Sequence, residues 1–172
     1  MPAPDSGGAF TASEVITVAI GRWAVASSPT RIRTLLGSCV GVVLYDRIAC
    51  LGGLAHVVLP QSRGAVDHPG KYADTAIPAL LEDMERRLRS KVQGRLAAKL
   101  VGGANMFPSG ADSSSALNIG RLNQEAVERL LEELRIPIVG RDLGGGNGRQ
   151  LSLDTTSGMV SIRIPGGADY SI

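Results

Sequence analysis

Both cysteines of the chain and one of its two histidines fall inside a single stretch, TLLGSCVGVVLYDRIACLGGLAHVVLP, running from Thr34 to Pro60. A thiol attacks as the thiolate, and at an unperturbed pKa of about 8.5 it is mostly protonated at neutral pH. An imidazole beside it can take that proton and later return it to a leaving amine, which is the chemistry of acyl transfer from an amide. The question the stretch poses is whether a cysteine and His56 meet.

The runs Val40 to Tyr45 and Cys50 to Leu59 are extended in character and are separated by a short polar break, the pattern of a β-hairpin. A turn centred between Arg47 and Ile48 sets Tyr45 opposite Cys50, Val43 opposite Gly52, Gly41 opposite Leu54 and Cys39 opposite His56. Directly opposed residues have Cβ atoms about 4.5 to 5.5 Å apart, close enough for a sulfur to reach a ring nitrogen. Cys50 is six residues from His56 on the same strand, about 20 Å away at roughly 3.3 Å per residue. Cys39 is therefore the candidate nucleophile and His56 the candidate base.

The segment LGSC adds candidate supporting groups. Gly37 permits an unusual backbone angle just before the thiol, and the N–H groups of Ser38 and Cys39 are candidate oxyanion donors. Gly41 is expected to leave room beside the sulfur for a substrate backbone. The same residues also fit a packing role, because free cysteine is among the most frequently buried residue types. Residue types alone leave both readings standing.

Other constellations fit their chemistry less well. Cys39, Cys50, His56 and His68 are enough ligands for zinc, but no pair has the short spacing of a structural site, so no metal is expected. In GAVDHPGKY one residue too many separates Gly64 from Gly70 for a phosphate loop, and Tyr72 stands where Ser or Thr should hold magnesium. GGGNGR lacks the preceding strand and helix unit of a dinucleotide site and reads as a surface loop. His68 reads as a solvated loop residue and Cys50 as core.

The elements that must position Cys39 and His56 follow from patterning. The chain has 172 residues, 44% hydrophobic and 20% charged, which suits one domain with its own core. Residues 1–13 read as a disordered tail and 14–172 as the domain. Glu14 to Ile20 and Arg31 to Leu36 read as strands, the second alternating polar and apolar residues before Gly37. TAIPALLEDMERRLRS places Ala76, Leu80, Leu81, Met84 and Leu88 on one helical face, with Thr75 the expected N-cap and Pro78 in the first turn. Arg95 to Val101 is a further strand, followed by a loop rich in Gly, Asn, Pro and Ser.

A second helix carries Ile119, Leu122, Ala126, Val127, Leu130, Leu131 and Leu134 on one stripe. IPIVGRD is another strand, and QLSLD and MVSIRIP form a closing hairpin. The expected class is α/β (α+β): a layered domain of mostly antiparallel or mixed β-sheets covered by two amphipathic helices.

A net charge of +2 and 3% aromatic residues give nucleic-acid binding little support. The N-terminal residues lack the basic start and apolar run of a signal peptide. The longest apolar run, Ile48 to Pro60, is shorter than the ~18 residues a membrane helix needs. These features lead to the expectation of a cytoplasmic protein with free thiols and no membrane insertion.

In order along the chain, LGSCVGVVLYD, GGLAHVVLP, GKYADTA, VGGANMF, NIGRLN and RDLGG resemble the CheD family of chemoreceptor glutamine deamidases. The resemblance covers roughly Val15 to Ile164. It implies hydrolysis of selected glutamine side chains of methyl-accepting chemotaxis receptors to glutamate with release of ammonia, on a layered α/β fold without a cofactor. It places Cys39 as nucleophile, His56 as general base and Thr34 as the third catalytic residue. Arg33 is the neighbouring alternative to Thr34, and on a strand the two point to opposite faces. The resemblance also implies a CheC-type phosphatase as a partner in many systems, and a non-catalytic module regulating that phosphatase is the alternative function.

Overall fold

The computed structural model describes residues 13–64, 66–106 and 118–172. The expected tail, save for Ser13, and most of the loop after Val101 lie outside these residues. Two mixed five-stranded sheets are stacked, and two α-helices cover one of them.

The first sheet runs in the order β1 (Glu14–Thr17), β3 (Thr30–Leu36), β8 (Arg149–Asp154), β9 (Val160–Arg163) and β10 (Tyr170–Ser171). The second runs β2 (Trp23–Ser27), β5 (Leu51–Val57), β4 (Val40–Asp46), β6 (Leu96–Gly102) and β7 (Ile138–Leu143). The pairs β1–β3 and β6–β7 are parallel and the others antiparallel. This is the layered α+β arrangement expected from patterning.

Strand composition dictates which layer is central. In β3, Ile32, Thr34 and Leu36 are buried while Arg31, Arg33 and Leu35 are exposed, as on a sheet with one wet face. Strand β5 is buried at every position, and in β4 only Tyr45 is partly open, so the second sheet is covered on both sides. On one side Val42, Leu44, Ala55 and Val57 pack against α1 (Ala73–Leu88) and α2 (Ile119–Glu133). On the other, Val43 and Leu54 pack against Ile32, Leu36, Leu151 and Leu153 of the first sheet. His56 and Thr34 belong to this inter-sheet layer.

Four features differ from the sequence expectations. Strand β2 was not anticipated: WAVAS is short and lacks clear alternation, and it forms because β5 offers it a complete ladder from Trp23–Ala55 to Ser27–Leu51. Helix α1 starts at Ala73 with Tyr72 as N-cap, and the Thr75 hydroxyl is directed at the Pro69 and Tyr72 carbonyls rather than capping. Pro78 consequently lies inside the helix.

The hairpin register is shifted by two residues. Gly41 pairs with His56, Tyr45 with Gly52 and Asp46 with Leu51, leaving Arg47 to Cys50 as a four-residue turn. The cause is Asp46: its buried carboxylate accepts the N–H groups of Ile48 and Ala49, both at 3.0 Å, and meets Arg95 at 2.6 Å. Cys50 closes this turn in the left-handed region at φ 47° and is half-buried, so it is a turn residue and not part of the core.

Candidate active site

His56 is held from both sides. Its N–H donates to the Arg22 carbonyl at 2.9 Å, and its carbonyl accepts the Gly21 N–H at 3.1 Å, so the backbone cannot rotate freely. The side chain is 2% exposed and faces β3. There the Thr34 hydroxyl lies 2.8 Å from His56 Nδ1 and 2.8 Å from the Val18 carbonyl oxygen. A hydroxyl has one proton, and a carbonyl can only accept. Thr34 therefore donates to Val18 and accepts Nδ1–H from the imidazole. This fixes the tautomer and leaves the Nε2 lone pair free to act as a base. Burial lowers the His56 pKa from 6.5 to about 4, so the ring is neutral at physiological pH.

Arg33 points away, its guanidinium meeting the Thr17 hydroxyl at 3.1 Å on the exposed face. Of the two adjacent residues, Thr34 alone touches the imidazole.

Cys39 sits in the bend that joins β3 to β4 and is half-buried. All three carbonyls of the bend are anchored: Gly37 by the Ala104 N–H at 2.9 Å, Ser38 by Asn123 Nδ2 at 3.2 Å, and Cys39 by the Gly103 N–H at 2.7 Å. In a trans peptide the following N–H points opposite to the carbonyl. The N–H groups of Ser38 and Cys39 consequently face away from this framework, and among the described residues neither has a hydrogen-bond acceptor in another residue. Burial raises the Cys39 thiol above its ordinary range, and its own backbone N–H opposes that in smaller measure. The resting pair is thus a neutral thiol and a neutral imidazole.

The observed register makes Cys39 and His56 diagonal neighbours at the end of the hairpin, not facing residues. Diagonal positions are about 7 to 8 Å apart, which a long or aromatic side chain can span. The Thr34 to Nδ1 hydrogen bond is formed, while none joins Cys39 Sγ to the ring; catalytic contacts of this kind commonly tighten when substrate binds.

The two glycines act differently from expectation. Gly37 does not adopt the left-handed region; a Cβ there would lie 2.7 Å from Met106 Sδ, so it provides clearance. Above Gly41 there is no room for a substrate, because a Cβ would stand 2.9 Å from Leu36 Cδ1 and 3.0 Å from Leu151 Cδ1. Gly37, at the start of the bend, lines a surface groove with Leu35, Met106, Arg149, Arg163 and Pro165, and neither Cys39 nor His56 lines it. Among the described residues no cluster of His, Cys, Asp and Glu is placed to hold a metal ion, and no helix is long and apolar enough to cross a membrane.

The family model described as CheD chemotactic sensory transduction matches residues 58–164. A relative from Desulforamulus reducens, named probable chemoreceptor glutamine deamidase CheD, is 46% identical over 154 residues, covering 88% of this chain and 91% of that one. The chain belongs to the CheD family. Relatives of the same name from Clostridium kluyveri and Clostridium botulinum are 44% and 45% identical, each over 88% of this chain and 93% of theirs. The CheD family match begins just beyond His56. Roles for Cys39, His56 and Thr34 therefore rest on the geometry and on the motif, not on that match.

Thr34→Val tests the orienting contact. Valine suits the strand but removes both hydrogen bonds, leaving Nδ1–H without its acceptor. The imidazole then shifts toward the Nε2–H tautomer, which is no base toward sulfur. Turnover falls about ten- to a hundredfold, the kinetic equivalent of one lost buried hydrogen bond, whereas Thr34→Ser and Arg33→Ala remain near the parent rate. Steady-state rates of all three variants check this, and parental turnover in Thr34→Val would remove Thr34 from the site.

Proposed function

We propose that this chain is a chemoreceptor glutamine deamidase that uses Cys39 as nucleophile and His56 as general base. The observation that carries the mechanism is the chain of contacts from Val18 carbonyl through the Thr34 hydroxyl to His56 Nδ1, which leaves Nε2 free as a base, with Cys39 diagonal to His56 just beyond the end of the hairpin ladder. The relatives' printed name supplies the substrate class.

Nε2 takes the Cys39 proton as Sγ attacks the side-chain carbonyl carbon of a receptor glutamine. The oxyanion that forms is stabilised by the Ser38 and Cys39 N–H groups. The imidazolium then returns the proton to the departing nitrogen, and ammonia leaves a glutamyl thioester. Water, deprotonated by Nε2, attacks the thioester, and the products are a glutamate side chain and the regenerated thiol. A neutral resting imidazole suits this sequence, because it accepts a proton only while the substrate is being attacked. Thr34 orients the ring.

The substrates are the cytoplasmic helices of methyl-accepting chemotaxis receptors, and the site of action is the cytoplasm. Docking of a CheC-type phosphatase over the same bend belongs to this proposal through the family resemblance. Incubation with a receptor cytoplasmic fragment followed by peptide mass spectrometry tests it. The expected product carries the mass increment of amide-to-acid exchange at specific glutamines. A fragment with every glutamine intact would overturn the assignment.

A further inference from the structure

We infer that Asn123 is a positioning residue that sets the spacing between the nucleophile and its base. It rests on the assignment of Cys39 and His56 to those roles. Asn123 lies on α2, is completely buried, and its Nδ2 donates to two carbonyls, Ser38 at 3.2 Å and Val58 at 2.8 Å. Ser38 immediately precedes the nucleophile, and Val58 follows the base on the same strand end. Two acceptors demand two N–H donors, which fixes the amide orientation.

The position of this bridge is informative. The β4–β5 ladder ends at the Val40–Val57 pair, so backbone pairing stops just short of Cys39. Beyond that point one side chain ties the two strands together. Among the described residues its Oδ1 is buried without a partner, a cost that an apolar side chain of similar size would not incur. Packing alone therefore does not account for asparagine here.

Helix α2 is itself fixed to the bend. A Cβ on Gly120 would strike the Gly103 and Ala104 carbonyl oxygens, so only glycine lets the first turn approach this closely. One turn later Gln124 Nε2 donates to the Gly103 carbonyl at 2.8 Å, and the Gly103 and Ala104 N–H groups hold the bend. Movement of α2 is thereby transmitted to both reacting groups through Asn123.

The test is alkylation of Cys39 by iodoacetamide at neutral pH in a Cys50→Ala background, which needs no receptor. The S–C bond forms, iodide leaves, and the thiol proton passes to His56 Nε2. Rates are compared for the parent, His56→Gln, Asn123→Leu and the double variant. His56→Gln and Asn123→Leu each slow alkylation about tenfold, and the double variant is no slower than either, because residues acting as one unit are non-additive. With the receptor fragment, Asn123→Leu lowers kcat and leaves KM unchanged.

Parental alkylation in Asn123→Leu, or effects that multiply in the double variant, would overturn the inference. If neither Asn123→Leu nor Asn123→Ala gives a cooperative thermal transition, Asn123 is a stability residue and the inference is likewise overturned. Loss of alkylation on Asn123 substitution combined with intact glutamines in the receptor assay would keep the inference and reject the substrate. A His56→Gln rate equal to the parent's would reject the nucleophile and base assignment together with it.

Discussion

Cys39→Ala abolishes ammonia release from receptor glutamines, and Cys50→Ala leaves it close to the parent rate. Nothing else in the bend can form the thioester, so the loss is of the order seen when the nucleophile of a hydrolytic triad is deleted, about 10⁶-fold in kcat. Cys50 sits in the turn at the opposite end of β5, six residues from His56, about 20 Å away along an extended strand. Its Sγ is directed at the Arg47 carbonyl at 3.7 Å, so removing it disturbs only the turn. Ammonia release measured for both variants, with thermal midpoints to show that each is folded, checks the assignment. Equal losses would mean that the two thiols act together or that neither acts directly.

That Cys39 and not Cys50 lies near His56 was legible in the sequence even though the register was not, because the separation along β5 exceeds any plausible shift of the turn. The alternation in RIRTLL likewise showed that only one of Arg33 and Thr34 could face the core, without showing which of the two it was. Asp46 hid the register: a carboxylate that accepts two turn N–H groups and pairs with Arg95 lengthens the loop, and the Arg95 partner is remote in sequence.

The Val18 carbonyl that fixes the tautomer was out of reach of any motif, since it comes from the parallel pairing of β1 with β3. Asn123 stands inside the apolar stripe of α2, where a polar residue at a buried position was the available signal. Gly41 misled because a missing side chain reads equally as access for a ligand or as space for Leu36 and Leu151 from the facing sheet.

His56→Gln lowers turnover by about 10²- to 10⁴-fold, the usual contribution of a positioned acid–base group. Glutamine keeps a polar side chain next to Thr34 but offers no proton acceptor of suitable basicity. The pH dependence of the parent enzyme distinguishes this role from simple packing. Because burial holds His56 near 4 instead of 6.5, the acid limb of kcat/KM lies near that lower value and not at the ordinary histidine range.

Stability carries the opposite face of the same shift. Between 4 and 6.5 the unfolded chain binds a proton that the folded site resists, so this contribution is fully present above 6.5 and is lost as pH falls toward 4. The parent accordingly loses more thermal stability than His56→Gln across that window. Rate profiles and melting curves of both proteins, taken above 6.5 and just above 4, check the pair of expectations. An acid limb at 6.5 with no difference in the melting shift would mean that the imidazole is solvated in solution, and the hydrogen bond from Nδ1 to Thr34 would then not be what holds it.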